Sequence, residues 1–416
     1  MAEGARRVAA GERPRMDQLL LTPGNMTRLA DRLAHLRGAA MKLGQMISMD
    51  AGDVLPPELA DILARLRERA DFMPAKQLDR VLSEEWGRDW RKRFRRFEPR
   101  PLAAGSIGQV HRALTRDGRT LAIKVQYPGV AQSIDSDVDN VATLLRVSGL
   151  LPKELDIEPL LTAAKEQLRE EADYIREGGQ MELYAGLLKG RKGFIVPQLE
   201  RELTSERILA TSFEEGIPIE SLADEAQDLR NSVFERIIRL VADELFAFGV
   251  MQTDPNFANY RYNREKDAVV LLDFGAARAI APDVATNYRR LLEAGLAADH
   301  DRVREEAVSA GFIGPYAVEQ HRERIDRAIA IVVREMSADR PLDFGDRSFV
   351  PEIRDTVMPI AQDKAAWHVP PPETLFVQRK VSGTALLGAR LKAVCDVRAI
   401  VEETLNRTHP PTDGAS

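Results

Sequence analysis

The most constraining part of this 416-residue chain spans positions 251–275, where Met-Gln-Thr-Asp-Pro-Asn-Phe-Ala-Asn is followed by a short hairpin pattern and Leu-Leu-Asp-Phe-Gly. Asp254 and Asn259 lie on a predicted loop, and Asp273 follows an apolar predicted strand. Carboxylate and amide oxygens suit Mg²⁺, which takes only one or two protein carboxylates. A lone Asp-Phe-Gly could be an ordinary polar turn. The full spacing instead favours a phosphate site in which Asp254 orients the attacking group while Asn259 and Asp273 hold Mg²⁺.

A loop of small residues and a strand with a central lysine precede this stretch. The loop consists of Ala103, Ala104, Gly105, Ser106, Ile107 and Gly108. Small residues allow backbone amides to approach phosphate oxygens closely, and Lys124 supplies a positive charge. The alternative is that Lys124 is a solvent-facing lysine on an edge strand. The order of hairpin, loop and lysine strand is the one with which kinases cover a nucleotide.

Carboxylates are dense in a predicted helix over 157–187, and one of them should pair with Lys124, as a helix glutamate does in kinases. Asp173 and Glu177 are four positions apart and share a helix face, whereas Glu171 points elsewhere. We assign Glu177 as the partner of Lys124. A solvated acidic helix remains the alternative for each acid.

Beyond Gly275 the segment with which protein kinases seat a peptide is missing, because the chain runs almost directly into a predicted helix around Tyr288. Helical patterns continue over 297–345, a proline-bearing connection is expected over 346–372, and terminal helices over 373–406. The pattern predicts an α+β, bilobal protein-kinase-like fold with a small β-containing N-lobe and a helical C-lobe.

Composition and charge limit the partners and the cellular compartment that we expect for this chain. The formal net charge is −6, with 59 basic and 65 acidic residues interspersed, so no nucleic-acid partner is expected. The single cysteine, Cys395, excludes an internal disulfide and fits a reducing compartment. No secretory signal and no run long enough to span a bilayer are recognisable. We expect a cytoplasmic protein, with peripheral membrane association left open.

The N-terminal part is a predicted loose tail followed by amphipathic helices. On the first of these helices, Lys42 and Gln45 are neighbours on the side opposite the apolar stripe. By itself, this pattern favours a solvated polar face.

Taken together, six motifs resemble those of the UbiB/AarF family of atypical protein-kinase-like ATPases, and they cover roughly residues 22–395. They are Lys42-Leu-Gly-Gln45, the loop Ala103–His111, the strand around Lys124, Glu171-x-Asp173, the loop Asp254–Asn259 and Asp273-Phe-Gly. The phrase Met-Gln-Thr-Asp-Pro-Asn is similar to the branch typified by coenzyme Q biosynthesis kinase-like proteins.

The resemblance implies roles that the residues alone do not indicate. The Lys-x-Gly-Gln helix, with Lys42 and Gln45, is expected to fold over the active site, contact Glu171 and Asp173, and so regulate or take part in turnover. Lys124, the loop 103–108 and Glu177 would bind ATP, Asp254 would be catalytic, and Asn259 and Asp273 would hold Mg²⁺. The family's nucleotide loop is rich in alanine, and this chain departs from it at Gly105, which leaves nucleotide preference open.

The resulting domain prediction is a tail (1–21), a helical extension over the active site (22–95), a kinase-like N-lobe (96–212) and a kinase-like C-lobe (213–416). The expected function is that of a Mg²⁺-dependent ATPase supporting ubiquinone biosynthesis by handling lipophilic quinone precursors. Expected partners are ATP, membrane or quinone-precursor lipids, and ubiquinone-biosynthesis proteins. The alternatives are a protein or small-molecule kinase, in which Gln252-Thr253 replaces the usual His-Arg, and a nucleotide-gated lipid-binding scaffold.

Overall fold

A computed structural model describes residues 72–148, 158–366, 368 and 370–407 of the chain. The chain divides into two compact units. Of the described residues, unit 1 contains those up to Gly179 together with Gln198–Phe213, and unit 2 contains Gln180–Pro197 together with those from Glu214 onwards. The predicted tail and the part of the predicted helical extension before residue 72 lie outside the described residues, and the predicted domain boundaries stay predictions.

Unit 1 is built on an antiparallel sheet with the strand order β1-β3-β4-β6, and β2 is added on β3. Its strands are β1 (Phe94–Phe97), β2 (Ala103–Ala104), β3 (Gly108–Thr115), β4 (Thr120–Gln126) and β6 (Ile208–Ser212). Its helices are α1 (Ala75–Trp86), α2 (Val130–Ser148), α3 (Glu158–Ala172) and the first part of α4 (Tyr174–Leu187). The predicted hairpin and lysine strand are therefore present.

Strand β4 shows why one face of the sheet is apolar and the other polar. Successive side chains on a strand point to opposite faces, and Leu121, Ile123 and Val125 are all buried in the core between the sheet and α1. Lys124 consequently lies on the opposite face. Trp86, Trp90 and Phe94 belong to the same core, and each such aromatic side chain buries a large apolar area.

The predicted helix over 157–187 is interrupted, because α3 ends at Ala172 and α4 begins at Tyr174. Asp173 lies at the junction, where its Oδ1 accepts a hydrogen bond from the backbone N–H of Arg176 at 2.9 Å. Aspartate is a preferred helix-capping residue because its side chain satisfies a free amide. The expectation that Asp173 and Glu177 share the face of one continuous helix is therefore wrong.

Unit 2 contains a four-stranded sheet with the order β5-β10-β9-β7, and two-stranded sheets pair β11 with β8 and β12 with β13. Its strands are β5 (Phe194–Ile195), β7 (Ile217–Pro218), β8 (Val250–Gln252), β9 (Tyr260–Asn263), β10 (Ala268–Leu271), β11 (Ala277–Ala279), β12 (Leu342–Asp343) and β13 (Val394–Cys395). The hairpin β9–β10 is the one predicted between the catalytic loop and Asp273.

The remainder of unit 2 is mostly helical. Its helices are α5 (Gln227–Asp243), extended by a π-helical turn (Glu244–Phe248), α6 (Pro282–Leu296), α7 (His300–Ser309), α8 (Pro315–Ser337), α9 (Phe349–Gln362), α10 (Pro372–Leu391) and α11 (Val397–Arg407). In the part of the chain that the structure describes, no helix combines the length and apolarity needed to cross a membrane.

Helix α9 contradicts the predicted connection over 346–372. The prediction gave the prolines too much weight. Pro351 lies in the first turn, where no intrahelical amide bond is needed, whereas Pro359 lies inside the helix, which forms despite the loss of one i→i−4 hydrogen bond.

Candidate functional site

The small-residue loop in unit 1 is a tight turn between β2 and β3. Ala103 pairs with Val110 across the two strands, and the backbone N–H of Gly105 donates to the Gly108 carbonyl at 2.8 Å. A Cβ on Gly108 would lie 2.5 Å from the Val125 carbonyl oxygen, so glycine is required there by packing against β4. A Cβ on Gly105 would meet only the Gly108 carbonyl oxygen, at 3.7 Å. The loop therefore has room at Gly105 and none at Gly108.

Lys124 reaches from β4 to α4. Its Nζ donates to both carboxylate oxygens of Glu177, at 3.0 and 2.9 Å. The same ammonium lies 5.1 Å from the centroid of the Tyr174 ring. The Glu177 side chain is fully buried, whereas that of Lys124 is 21% exposed. The pairing expected from the sequence is present, and the lysine retains access to solvent.

The Glu-x-Asp motif lies beside the small-residue loop. The Ser106 hydroxyl donates to Glu171 Oε2 at 3.4 Å, and the Gln126 side-chain amide donates to the Ala172 carbonyl at 2.8 Å. Within unit 1 the structure thus brings the loop, Lys124, Glu171 and Glu177 together. Lys42 and Gln45 lie outside the described residues, so their contact with Glu171 and Asp173 stays a prediction.

In unit 2 the predicted catalytic loop connects β8 to β9. The backbone N–H of Asp254 donates to Gln252 Oε1 at 2.8 Å, and Asn259 Nδ2 donates to Asp254 Oδ2 at 3.1 Å. Asn259 ends a short 3₁₀ turn, Phe257–Asn259, that is capped by Asn256. The five-residue spacing places the two side chains in contact because the chain turns back on itself between them.

Asp273 follows the buried strand β10 and is half-buried. Its Oδ1 accepts a hydrogen bond from the Gly275 N–H at 3.0 Å, while the next ring, Phe274, packs 5.0 Å from Tyr184. The backbone N–H of Leu272 donates to the Asn259 carbonyl at 3.0 Å, which fixes the two segments together. Asp254, Asn259 and Asp273 therefore belong to one local structure.

The donor set in unit 2 fits Mg²⁺. Asn259 donates from its amide nitrogen to Asp254, so its amide oxygen would be the atom that faces a metal, and Asp273 would add a carboxylate oxygen. Oxygen donors of this kind suit Mg²⁺, which retains several waters and relies on substrate phosphates. Among the residues with described positions, no group of three or more histidine, cysteine or acidic side chains could hold a metal.

Sequence reasoning missed a buried polar cluster next to this loop. Lys380 on α10 donates from Nζ to the Tyr260 hydroxyl at 2.7 Å and lies 3.8 Å from Glu244 Oε2. The Tyr184 hydroxyl donates to Glu244 Oε1 at 2.6 Å. A signal was available, because Lys380 lies at helical spacing on the buried stripe of α10. The other members of that stripe are Phe376, Leu387 and Leu391.

Burial governs the titration of this cluster. It raises the pKa of the Glu244 carboxyl, against the opposing effect of Lys380, and it raises the pKa of Tyr184 well above its usual range. Burial alone would lower the pKa of Lys380, but Glu244, Tyr260 and Asp254 together shift it upward.

Comparison with known proteins agrees with this architecture. Residues 65–307 match the ABC1 atypical kinase-like domain. Atypical kinase COQ8, mitochondrial, of Saccharomyces cerevisiae is 36% identical over 94% of this chain and 78% of its own length, and rat COQ8B is 36% identical over 93% of this chain and 73% of its own. The Caenorhabditis elegans atypical kinase coq-8 is 34% identical over 92% of this chain, which spans only 51% of that relative.

A solved structure shares the fold. Rv3197 of Mycobacterium tuberculosis, determined in complex with erythromycin, superimposes with a TM-score of 0.64 at 22% identity, covering 86% of this chain and 90% of that one. The family match, the identity to curated relatives and the shared fold agree. This chain belongs to the ABC1, or UbiB/AarF, family of atypical kinase-like enzymes.

Proposed function

We propose that this protein is a Mg²⁺-dependent ATPase that supports ubiquinone biosynthesis. The observation that carries the proposal has two parts: Lys124 pairs with Glu177 in unit 1, and Asp254, Asn259 and Asp273 share one local structure in unit 2. The described residues between Gly275 and the next helix are also too few to form the segment with which protein kinases seat a peptide. After Asp273-Phe-Gly the chain forms the short strand β11, and α6 begins at Pro282. Phosphoryl transfer needs mainly positioning and charge stabilisation, and the arrangement of these side chains supports both roles.

Each group has a proposed role. Lys124, held by Glu177, binds phosphate oxygens of ATP, and the backbone of residues 103–108 packs against them. Asp254 orients the attacking water, while Asn259 and Asp273 hold Mg²⁺. The ion neutralises charge on the phosphates when it is bound. The exposure of the Lys124 side chain, 21%, supports its role, since that side chain is not fully enclosed.

The link to quinones rests on the relatives. The curated relatives carry the names of COQ8 atypical kinases, and we extend their pathway to this chain. We further propose that the protein handles lipophilic quinone precursors from a peripheral position at a membrane and works beside ubiquinone-biosynthesis proteins. Lys42 and Gln45 would regulate access to the site through Glu171 and Asp173.

Asp273→Asn tests the proposed function. Removal of one charged metal ligand should lower Mg²⁺-dependent hydrolysis of ATP by roughly 10²-fold or more. The measurement is phosphate release by the purified protein, with and without liposomes carrying a phenolic quinone mimic. Asp267→Asn is the matched control, because Asp267 lies in the same hairpin but pairs with Arg236 at 2.8 Å.

Unchanged hydrolysis in Asp273→Asn would contradict the site assignment. Stoichiometric transfer of labelled phosphate to a protein or small molecule would replace the ATPase by a kinase. Nucleotide binding without turnover under every lipid condition would indicate a nucleotide-gated scaffold. Quinone profiles of a deletion strain, complemented with Lys124 and Asp273 variants, test the pathway separately.

A further inference from the structure

The buried cluster around Lys380 lies directly against the loop that carries Asp254 and Asn259. Lys380 and Glu244 have side chains only 2% and 1% exposed, so neither can meet a substrate from solvent. A buried ion pair is weak evidence of stabilisation, because desolvation offsets most of the Coulomb gain. The contacts that this pair makes with the loop therefore indicate its role better than its own stability does.

One arm of the cluster fixes the start of the loop. Glu244 Oε1 accepts a hydrogen bond from the backbone N–H of Gln252 at 3.1 Å. The Gln252 side chain in turn accepts the Asp254 N–H at 2.8 Å. Glu244 therefore acts on Asp254 through a single intervening residue, and Tyr184 holds the same carboxylate oxygen from the other side.

The other arm fixes the end of the loop. Lys380 donates to the hydroxyl of Tyr260, the residue that follows Asn259. Helix α10 also contacts the middle of the loop one turn later, where a Cβ on Gly383 would lie 2.1 Å from Pro255 Cβ. The helix thus touches the loop at two points and leaves it no space to move towards α10.

We propose that the Glu244–Lys380 pair is a positioning device for the catalytic loop: Glu244 fixes Asp254 through Gln252, and Lys380 fixes Asn259 through Tyr260. The inference rests on the proposed function, since it concerns the geometry of the same metal and phosphate site. Asp254 and Asn259 remain the residues that meet the ligand, whereas Glu244, Tyr260 and Lys380 act only through them.

The test separates positioning from stability with two variants of the full chain. Tyr260→Phe removes one hydroxyl and retains both charges. Glu244→Gln with Lys380→Met removes the Lys380 contact with Tyr260 and leaves no unpaired charge in the interior, while the Gln side-chain oxygen can still accept from the Gln252 N–H. Tyr262→Phe is the control, because Tyr262 lies on the same strand and its hydroxyl donates to Asp267 at 2.7 Å, at the hairpin end.

Three quantities are measured for each variant: the melting temperature, kcat for ATP hydrolysis, and the Mn²⁺ concentration that half-saturates binding of a fluorescent ATP analogue. We expect Tyr260→Phe and the double variant to melt within a few degrees of the parent. Because small displacements of catalytic groups are costly, kcat should fall and the Mn²⁺ concentration rise by roughly tenfold. Tyr262→Phe should change both by less than about twofold, since it acts away from the loop.

Folded variants whose kcat and Mn²⁺ requirement both match the parent would overturn the proposal. If the double variant does not fold, Tyr260→Phe decides alone. If the parent binds nucleotide with Mn²⁺ but does not hydrolyse it, the ATPase function fails while the Mn²⁺ titration still decides the positioning role. If the parent protein binds no nucleotide, both the proposed ATPase function and the proposed positioning role are contradicted.

Discussion

The two units each contain a lysine–glutamate pair, and the pairs differ in their access to water. In unit 1, Lys124 is 21% exposed above a fully buried Glu177. In unit 2, the side chains of Lys380 and Glu244 are both buried, with exposed fractions of 2% and 1%. A partly exposed lysine side chain is available to a ligand, whereas a fully buried one can act only on its protein neighbours. Two pairs of the same chemical type are thus suited to different tasks by burial alone.

The largest effect on stability should come from Lys380→Met. This change leaves the Glu244 carboxylate buried without its cation, and removing one member of a buried pair costs about 3–5 kcal/mol. Urea unfolding followed by circular dichroism measures the loss. The double variant with Glu244→Gln should recover most of it. An equal loss in the single and double variants would show that the charge of Glu244 is not the cause.

Lys124→Met should lower both stability and turnover. Glu177 is fully buried, so this change also leaves a carboxylate without its cation and should cost up to about 3–5 kcal/mol of unfolding free energy, while kcat/KM for ATP should fall roughly 10²-fold through loss of a phosphate contact. Lys165→Met is the matched control, because Lys165 is 24% exposed and pairs with Asp139 on the surface at 2.6 Å. Equal turnover in the two variants would remove the functional distinction between the pairs.

The smallest effects concern one glycine from each unit. Gly383→Ala forces a Cβ to 2.1 Å from Pro255 and should destabilise by about 1–3 kcal/mol, as overpacking does. Gly105 lacks a positive φ and has room for a Cβ, so Gly105→Ala should stabilise by about 0.4–1 kcal/mol through the unfolded state. Thermal melts of both variants test this contrast. Two shifts of the same sign would contradict it.

The difference in what could be predicted follows from the range of the interactions involved. The sequence indicated the strand with Lys124 and the hairpin before Asp273, because alternation and turn residues are local signals. It also indicated the pairing of Lys124 with Glu177, though by assuming a continuous helix that Asp173 interrupts. It failed over Phe349–Gln362, where α9 forms with Pro351 in its first turn and Pro359 inside the helix.

The sequence by itself determined the kind of chemistry: an ammonium, an amide and carboxylates at kinase-like spacing, with no peptide-seating segment after Gly275. Only the tertiary structure decided which charged side chains are buried and which residues they contact. Lys380 and Glu244 are more than a hundred positions apart, and no local pattern links them. Their contact arises because α10 packs against the end of α5 and the loop between β8 and β9. Burial of that kind depends on the whole fold rather than on neighbouring residues.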